Sequence, residues 1–361
     1  MLEKRLWSNV FFIWVGVLTC VLLWQIVQNP RSSQMHTVYT LYTQNYSRFS
    51  YPISQLPATD YNQLINLGFS FSVLNLVCNE SKPLLLVLVH SSPKNFAKRR
   101  TIRETWGKNE EDVKILFMLG SVNSSDLQKT LEEENRLHND FIQGSFLDTY
   151  RNITYKHVMV FKYAIYHCPQ AKYILKTDDD VFVNMPSMKT FLSVDLSPYG
   201  ANEVLFCTPR RNTKVLRTYR SKWRVSFSEY PNRNYPTYCP GWTLLYSPDV
   251  IFALYKEAQK ADYFWIDDIH ITGTLTEKIH VTHTDIEHLV ISPKDLRSIV
   301  NDYSYNVSKP FLYGRANLNE KEIRALWKFA TTHSPPRSIF KEFSRQTPYV
   351  IFVFKNTHLL E

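Results

Sequence analysis

An α/β fold with a mostly parallel central sheet is what the sequence predicts, on the strength of two observations. First, continuous apolar runs end in small polar residues, as in PLLLVLVHSS from Pro83 and VKILFMLGS over Val113–Ser121. Runs of this kind are typical of strands buried on both faces of a sheet. Second, segments with helical periodicity separate such runs between residues 83 and 180, and this alternation indicates βαβ units.

The other elements have their own signals in the sequence. The segment KNFAKRRTIRETWG (94–107) is predicted to be helical because its apolar residues recur at helical spacing. Ser125 is predicted to cap the next helix. The SPD sequence at 247–249 predicts a helix start, because proline suits the first turn and an acid suits the helix N-terminus. The remaining predicted elements are a strand around 142–146, a helix over 153–168, a strand in AKYILKTDDDVFV (171–183) and a last strand in YVIFVF (349–354).

Composition places the chain among folded proteins and removes several classes. With 44% hydrophobic and 21% charged residues over 361 positions, usage is close to that of globular domains, which excludes wholesale disorder. Nine glycines and 18 prolines exclude a collagen-like chain, and the lack of a fixed-period repeat argues against solenoids and propellers. The net charge of +9 suits nucleic acid, an anionic membrane or a substrate that carries phosphate.

The N-terminal segment predicts a membrane anchor. Between Arg5 and Arg31 no charged residue occurs, and about 20 apolar residues in a helix cross the ~30 Å hydrocarbon core. We interpret this segment as an uncleaved signal anchor rather than a cleavable signal peptide, because no clear small-x-small cleavage site follows it. The predicted type II organisation is a cytoplasmic tail (1–5), a transmembrane anchor (6–27), a lumenal stem (28–82), a catalytic domain (83–330) and a C-terminal extension (331–361).

Cysteine and asparagine usage agree with a lumenal address. Besides Cys20, four cysteines are predicted to form two disulfides, with all three pairings open; they are Cys78, Cys168, Cys207 and Cys239. Five N-x-S/T sequons are predicted glycosylation sites, at Asn45, Asn79, Asn123, Asn152 and Asn306. A lumenal address makes nucleic acid a poor candidate for a partner.

The sharpest chemical signal is the acidic triplet in KTDDDVFVN (176–184). Carboxylates at the end of a strand lie at the carboxyl edge of the sheet, where open α/β folds bind ligands. Strand alternation predicts that Asp178 and Asp180 share a face while Asp179 points the other way. Mutually repelling carboxylates are tolerated around a divalent cation, so the triplet predicts a metal–phosphate site. The alternative is a solvated acidic turn.

Three further segments have candidate chemistry and a plain alternative each. In RRTIRETWG, Arg99 and Arg103 share a helix face and could reach a diphosphate, or could belong to a basic surface helix. In IDDIHITG (266–273), one of the two adjacent acids could be a general base, or the pair could cap a helix. In YPTYCPGWTLLYS (235–247), the aromatic residues could stack on a sugar or fill a core beside a turn.

Taken in order, these segments resemble the motifs of the Golgi β-1,3-glycosyltransferases (glycosyltransferase family 31), with Lys222-Trp223 upstream of the aromatic segment. The resemblance covers roughly residues 78–327 and implies a GT-A fold. It also implies an inverting enzyme that transfers a hexose or N-acetylhexosamine, most readily galactose, from a UDP-sugar to the 3-hydroxyl of a glycan on a glycoprotein or glycolipid. Mn²⁺ or another divalent cation, and a single-pass type II location in the Golgi membrane, are implied as well.

The resemblance also implies roles for individual residues. Asp268 falls on the second acid of the family's (E/D)DV motif and would be the catalytic base, with Asp267 beside it. Asp178 and Asp180 would hold the metal. The implied donor-binding residues are Arg99, Arg103, Trp106, Lys176, Asp178, Asp179, Pro240, Gly241 and Trp242.

The chain departs from the family pattern at two places. It has DDI where the family usually has EDV, which keeps the second carboxylate, and Ala316 stands where many members have a histidine near the metal. Two alternatives from other classes are a non-enzymatic lumenal relative, chaperone-like or lectin-like, and a UDP-sugar hydrolase. The intact acidic triplet argues against the first, and the second should release free sugar without an acceptor.

Overall fold

The computed structural model describes residues 37–43, 49–78, 81–302, 304–307, 309–341 and 350–356, the first and last of these ranges at the backbone only. The predicted anchor (6–27) and the sequons at Asn45 and Asn79 lie outside the described residues. Within the described ranges, none of the helices combines the length and apolar character that a bilayer crossing requires.

Strands and helices alternate through the middle of the chain, as the sequence predicts. The helices are α1 (Phe96–Glu104), α2 (Ser125–His138), α3 (Ile153–His167), α4 (Met185–Thr190, with a π-helical continuation Phe191–Leu196), α5 (Pro248–Ala258), α6 (Asp267–Ile269, continued by π-helical His270–Leu275 and by Thr276–Lys278), α7 (Pro293–Asn301) and α8 (Glu320–Thr332). The strands are β1 (Thr37–Thr43), β2 (Gln63–Leu64), β3 (Leu67–Gly68), β4 (Phe71–Leu74), β5 (Leu85–His90), β6 (Val113–Ser121), β7 (Phe141–Leu147), β8 (Tyr173–Asp178), β9 (Ala201–Asn202), β10 (Leu205–Cys207), β11 (Thr243–Tyr246), β12 (Thr284–Asp285) and β13 (Val350–Asn356).

The main sheet has eight strands in the order β12-β10-β11-β8-β5-β6-β7-β4. Its four central strands, β8, β5, β6 and β7, are parallel, whereas β11 and β4 run antiparallel to their neighbours. The predicted mostly parallel centre is therefore confirmed. A smaller sheet, β13-β1-β9, contains the predicted last strand.

Helices cover both faces of the main sheet because its central strands are apolar on both faces. In β5, Leu85, Val87 and Val89 belong to one apolar cluster, which includes side chains of α1, α2 and α8. Leu86 and Leu88 belong to the opposite cluster, which includes side chains of α3 and α5. The result is a three-layer α/β/α arrangement.

The packed domain begins before Pro83. Residues 49–78, which the sequence assigns to the stem, include β4 at the edge of the main sheet and the buried side chains of Leu64 and Phe69. A disulfide joins Cys78 to Cys168 at the end of α3, and a second joins Cys207 to Cys239. The prediction of two disulfides is confirmed. The elements of this segment are too short to show a periodicity, so its packing has no signal in the sequence.

The C-terminal extension also contributes to packing as far as residue 341. Ile339 and Phe340 are buried, and the Asp195 carboxylate accepts hydrogen bonds from the Ser338 hydroxyl and the Ile339 N–H. At α2 the cap is Ser124 rather than the predicted Ser125, because Ser124 has the extended backbone and its hydroxyl accepts from Leu127 N–H at 3.3 Å.

Strand order positions the ligand-binding edge of the sheet. After β5 the chain crosses to β6 on one side, whereas β8 lies on the other side of β5. Connections that diverge from adjacent parallel strands leave a crevice at their carboxyl ends. His90 and Asp178, the last residues of β5 and β8, are in register there.

Candidate active site

A pocket of about 420 Å³ opens beside the carboxyl end of β8. It brings together seven of the predicted site residues, which are Lys176, Asp178, Pro240, Gly241, Trp242, Asp267 and Asp268. Aromatic side chains form much of the remaining wall, among them Tyr150, Trp223, Tyr235, Tyr238 and Trp265. A concave, largely apolar site with a few convergent charged groups is typical of ligand binding.

The three acids of the triplet have three different environments. Asp178 lines the pocket, and its carboxylate accepts a hydrogen bond from Lys176 at 2.9 Å. Asp179 turns to the other side, where it accepts from the Ser91 hydroxyl and the Asn95 amide, each at 2.8 Å. The Lys98 ammonium lies 3.1 Å from both Asp179 and Asp180. Asp179, predicted to bind the donor, thus does not line the pocket. Asp180, predicted to share a face with Asp178, instead shares Lys98 with Asp179, because β8 ends at Asp178 and alternation does not extend beyond it.

Lys176 supplies a buried positive charge beneath the pocket. Its ammonium donates to Asp178 and to the backbone carbonyl of Gly241, and the residue is 1% exposed. Burial alone would lower the pKa of Lys176, but the negative charges of Asp178, Asp267 and Asp268 outweigh burial and raise it. The lysine therefore remains protonated and holds the carboxylates together.

Asp267 is fixed as a carboxylate by a hydrogen-bonded chain from the neighbouring helix. Its Oδ2 lies 2.9 Å from Nδ1 of His157 in α3, and Nε2 of His157 lies 3.3 Å from the Tyr246 hydroxyl. Burial raises the pKa of Asp267, but the His157 hydrogen bond and the charge of Lys176 outweigh it, so this pKa lies below the usual range. Burial also lowers the pKa of His157, which favours a neutral ring that donates to Asp267.

Asp268 has the opposite electrostatic environment. Burial and the adjacent charge of Asp267 raise the pKa of Asp268 well above the usual value, against the smaller pull of Lys176 and of the Gly241 N–H. Two neighbouring carboxylates whose pKa values are driven apart are the pattern of an acid–base site, in which one group stays charged and the other accepts a proton. The geometry therefore favours Asp268 as the proton acceptor and Asp267 as its support.

Gly241 is required by the close approach of the backbone to these charges. A Cβ atom at this position would lie 2.4 Å from Oδ1 of Asp268 and 2.8 Å from Nζ of Lys176. The absence of a side chain lets the peptide accept from Lys176 and donate to Asp268. The CPGW turn is thus part of the charged cluster, whereas the sequence alone left a plain turn as an alternative.

The structure does not bring Arg99, Arg103 and Trp106 to the pocket, which corrects their interpretation as donor-binding residues. Arg99 is completely buried and makes a bidentate ion pair with Glu134 of α2. Arg103 pairs with the same Glu134 and with Asp140 at 2.7 Å. Trp106 is 1% exposed in the apolar core. The two arginines link α1 to Glu134 of α2. Their charges are already matched by carboxylates, so they are not free to bind a diphosphate.

The side chains at the triplet suit a divalent cation, but they would need further oxygen ligands from a bound substrate to complete its coordination. The described residues contain no group of three or more His, Cys, Asp or Glu side chains placed to hold a metal. Asp178 and Asp180 offer hard oxygen donors, and their side chains are 37% and 23% exposed. Leu318 donates to the Asp180 carbonyl, so the segment with Ala316 lies close by and brings no imidazole.

His157 and Tyr246 support the acidic pair from outside the pocket. His157 has no motif of its own; the helical stripe over 153–168 places it inward, but core histidines give the same signal. Tyr246 is one of the aromatic residues of YPTYCPGWTLLYS, a segment for which core filling was one of the two interpretations. Of the described sequons, Asn123 and Asn306 are exposed. The Asn152 amide donates to the Leu147 carbonyl, and the hydroxyl of its sequon, Thr154, is buried against the Phe264 carbonyl.

The sequence is similar to known proteins over the region that contains this pocket. Residues 97–287 match the family model described as Galactosyltransferase. β-1,3-Galactosyltransferase 5 of Gorilla gorilla gorilla is 34% identical over 208 residues, which cover 56% of this chain and 68% of that protein. β-1,3-Galactosyltransferase 1 of Mus musculus is 33% identical over 202 residues, 54% of this chain and 60% of that protein. A solved glycosyltransferase involved in glycosylation of the major capsid of PBCV-1 has 13% identity and a TM-score of 0.35, over 68% of this chain and 100% of that one.

The family match spans more than half of the chain and includes the acidic triplet, the CPGW turn and the Asp267–Asp268 pair. It confirms the resemblance that the four ordered motifs predict. This chain is a glycosyltransferase that belongs to the galactosyltransferase family, among the β-1,3-glycosyltransferases.

Proposed function

We propose that this enzyme transfers galactose from UDP-galactose to the 3-hydroxyl of a glycan acceptor, with inversion at the anomeric carbon. The observation that carries the proposal is the Asp267–Asp268 pair at the wall of an aromatic pocket, where His157 holds Asp267 by a hydrogen bond. The 33–34% identical relatives are β-1,3-galactosyltransferases, which supports galactose as the sugar. An acceptor on a glycoprotein or glycolipid, and a type II Golgi membrane anchor over residues 6–27, belong to the same proposal.

In this mechanism the carboxylate of Asp268 takes the proton of the acceptor hydroxyl as its oxygen attacks the anomeric carbon. The bond to the UDP oxygen breaks on the opposite face, so one displacement inverts the centre without a covalent intermediate. Asp267, held by His157, remains ionised and keeps the proton affinity of Asp268 high. Lys176 compensates part of the charge of both carboxylates.

The donor is expected to lie against the triplet side of the pocket. Asp178 and Asp180 would hold a divalent cation, Mn²⁺ foremost, whose remaining ligands would be diphosphate oxygens. When bound, such a cation neutralises charge on the departing diphosphate. Trp242, with Pro240 and Gly241, would contact the sugar, since apolar ring faces stack well on pyranose faces. A GT-A type arrangement is part of this proposal.

The test is acceptor-dependent release of UDP by the full-length chain in detergent. UDP-galactose, UDP-N-acetylglucosamine and UDP-N-acetylgalactosamine are compared with Mn²⁺, with and without a panel of β-glycosides. We expect release from UDP-galactose that requires an acceptor and is lost with chelator. Release that does not need an acceptor would favour a UDP-sugar hydrolase. A folded sample that neither binds UDP nor releases it would support a non-enzymatic relative.

A further inference from the structure

An unusually basic loop forms one wall of the pocket. Residues 209–234, here named the basic loop, contain eight cationic side chains: Arg210, Arg211, Lys214, Arg217, Arg220, Lys222, Arg224 and Arg233. Glu229 is the one acid between residues 204 and 248, and its carboxylate is already paired with Arg151 at 2.7 Å. The loop therefore concentrates positive charge beside a pocket whose floor is acidic.

Two of the arginines organise the loop rather than face solvent. The Arg217 guanidinium donates to four backbone carbonyls, those of Val225, Ser226, Tyr230 and Asn232, at 2.7–2.9 Å. The Arg224 guanidinium lies 3.9 Å from the centre of the Tyr219 ring. Apolar side chains of the loop, including Val215, Val225 and Tyr230, pack against Phe264 and Trp265. The loop is thus a built surface with fixed contacts.

The other six cations are exposed and make no ion pair with a carboxylate within the described parts of the chain. They are Arg210, Arg211, Lys214, Arg220, Lys222 and Arg233. Exposed rings lie among them: Tyr219 is 86% exposed and Trp223 is 46% exposed. Cations interleaved with open ring faces suit a ligand that has both sugar rings and anionic groups.

The basic loop borders the Asp268 side of the pocket. Lys214 and Trp223 line the pocket directly, and Nζ of Lys222 lies 4.4 Å from the Trp223 ring and 5.9 Å from the Tyr150 ring. Backbone pairing of Arg210 with Tyr238 fixes the loop to the wall next to Asp268. An acceptor hydroxyl must reach Asp268, so a group bound by the loop would belong to the acceptor rather than to the nucleotide.

We propose that the basic loop selects an acceptor glycan that carries a carboxylate or sulfate group close to the sugar that receives galactose. This inference rests on the proposed transfer to a glycan and names its acceptor class. The shared chemistry is a sugar anion; uronic acids and sulfated hexoses are its two sources. A donor diphosphate or an anionic membrane surface would be a different partner for the same charges, and the experiment separates them.

The first measurement is binding without donor, which does not depend on turnover. Fluorescent disaccharides ending in glucuronate or galactose 6-sulfate are titrated with the full-length chain, beside their neutral glucose and galactose parents. We expect the wild type to bind at least one anionic probe about tenfold more tightly than its parent, and K214Q/K222Q to lose that difference. The control K129Q/R136Q removes the same charge from exposed positions of α2 and should keep it.

The second measurement is the ratio of kcat/KM for the anionic acceptor to that for its neutral parent. K214Q/K222Q should lower this ratio about tenfold without raising the KM for UDP-galactose. Equal binding of charged and neutral probes would overturn the inference. So would a raised donor KM at a constant acceptor ratio, or binding to phosphatidylserine vesicles but to neither disaccharide. If no acceptor supports transfer, the proposed function fails, while the binding measurement still decides the role of the loop.

Discussion

Two buried clusters in this enzyme combine a lysine with aspartate, and the balance of charge differs between them. In the first, Asp60 joins the segment 49–78 to α3 and α5. Its carboxylate accepts from the hydroxyls of Tyr166 and Tyr255 at 2.8 and 2.6 Å and from the Gln259 amide at 2.8 Å, with Lys162 at 3.6 Å. One carboxylate meets one lysine, both oxygens are satisfied, and neither residue lines the pocket beside β8.

In the second cluster, Lys176 faces Asp178, Asp267 and Asp268. The carboxylates outnumber the lysine, a pocket opens beside them, and the pKa of Asp268 is raised where that of Asp267 is lowered. A fold has no structural need for such an imbalance, because carboxylates that repel one another in a partly buried cluster destabilise the folded state. In this chain, the cluster with balanced charge holds helices together, whereas the cluster with excess negative charge beside a pocket is suited to catalysis.

Asp268→Asn should have the largest effect on activity. Loss of the base is expected to lower kcat about 10²–10⁴-fold, with UDP affinity nearly intact and the melting temperature unchanged or higher, because a costly buried carboxylate is removed. Steady-state kinetics and UDP titration on one preparation check this. Asp262→Asn, an exposed acid in the preceding loop, is the matched control. Equal losses of turnover and UDP affinity would contradict the role of Asp268.

Asp60→Asn should lower stability and leave the activity of the folded enzyme unchanged. Without its counter-ion, buried Lys162 is expected to lower the free energy of unfolding by about 3–5 kcal/mol, while kcat of the folded enzyme stays the same. Burial already lowers the pKa of Lys162 to about 8, below its unfolded value. Because the charge of Asp60 raises this pKa, the substitution should lower it further. The cost should therefore be fully present below that lowered pKa and should decrease as pH rises through it towards 8. Denaturant unfolding at several pH values measures this; a large loss of kcat in folded protein would refute the comparison.

His157→Phe should produce an intermediate effect on turnover. Without the imidazole, Asp267 loses the hydrogen bond that keeps it ionised and oriented, and misplacement of the pair is expected to lower kcat up to about 100-fold. Tyr246→Phe removes only the hydroxyl that contacts Nε2, so its loss should be smaller. Unchanged kcat in His157→Phe would show that Asp267 needs no support from α3.

Arg103→Gln tests the reassignment of the basic helix. Loss of its pairs with Glu134 and Asp140 should lower the free energy of unfolding by about 1.5–3 kcal/mol, with the KM for UDP-galactose unchanged. Thermal unfolding and donor kinetics measure the two quantities. A raised KM for UDP-galactose without loss of stability would indicate that Arg103 binds the donor.

The sequence predicts those parts of the site that are contiguous in the chain. Asp178, Asp267, Asp268 and Gly241 stand in short motifs whose local pattern already places acids at a strand end or a glycine in a turn. His157 contacts Asp267 from α3, and Tyr246 contacts His157 from β11. Tertiary contacts of that kind have no local signature. The position of the basic loop could not be predicted for a related reason, since the charge of a loop does not indicate which wall of a pocket the loop forms.

The misassigned residues have a different cause. Helical spacing correctly puts Arg99 and Arg103 on one face of α1, but it cannot tell that Glu134 and Asp140 lie opposite. A matched guanidinium and a ligand-binding guanidinium look the same in sequence. The fold could be predicted more fully than the site, because strand burial and helix periodicity are local properties. The packing of segment 49–78 could not be predicted, because its elements are too short to show a period.

The pH dependence of kcat/KM for galactose transfer tests the central claim most directly. The base must be ionised to accept a proton, so the rate should rise with pH and level off once Asp268 is deprotonated. Because burial and Asp267 raise the pKa of Asp268, this acid limb should lie well above the value of about 4 for an ordinary aspartate, and the residual rate of Asp268→Asn should lack it. A limb near pH 4 in the wild type, or one retained in Asp268→Asn, would contradict the account.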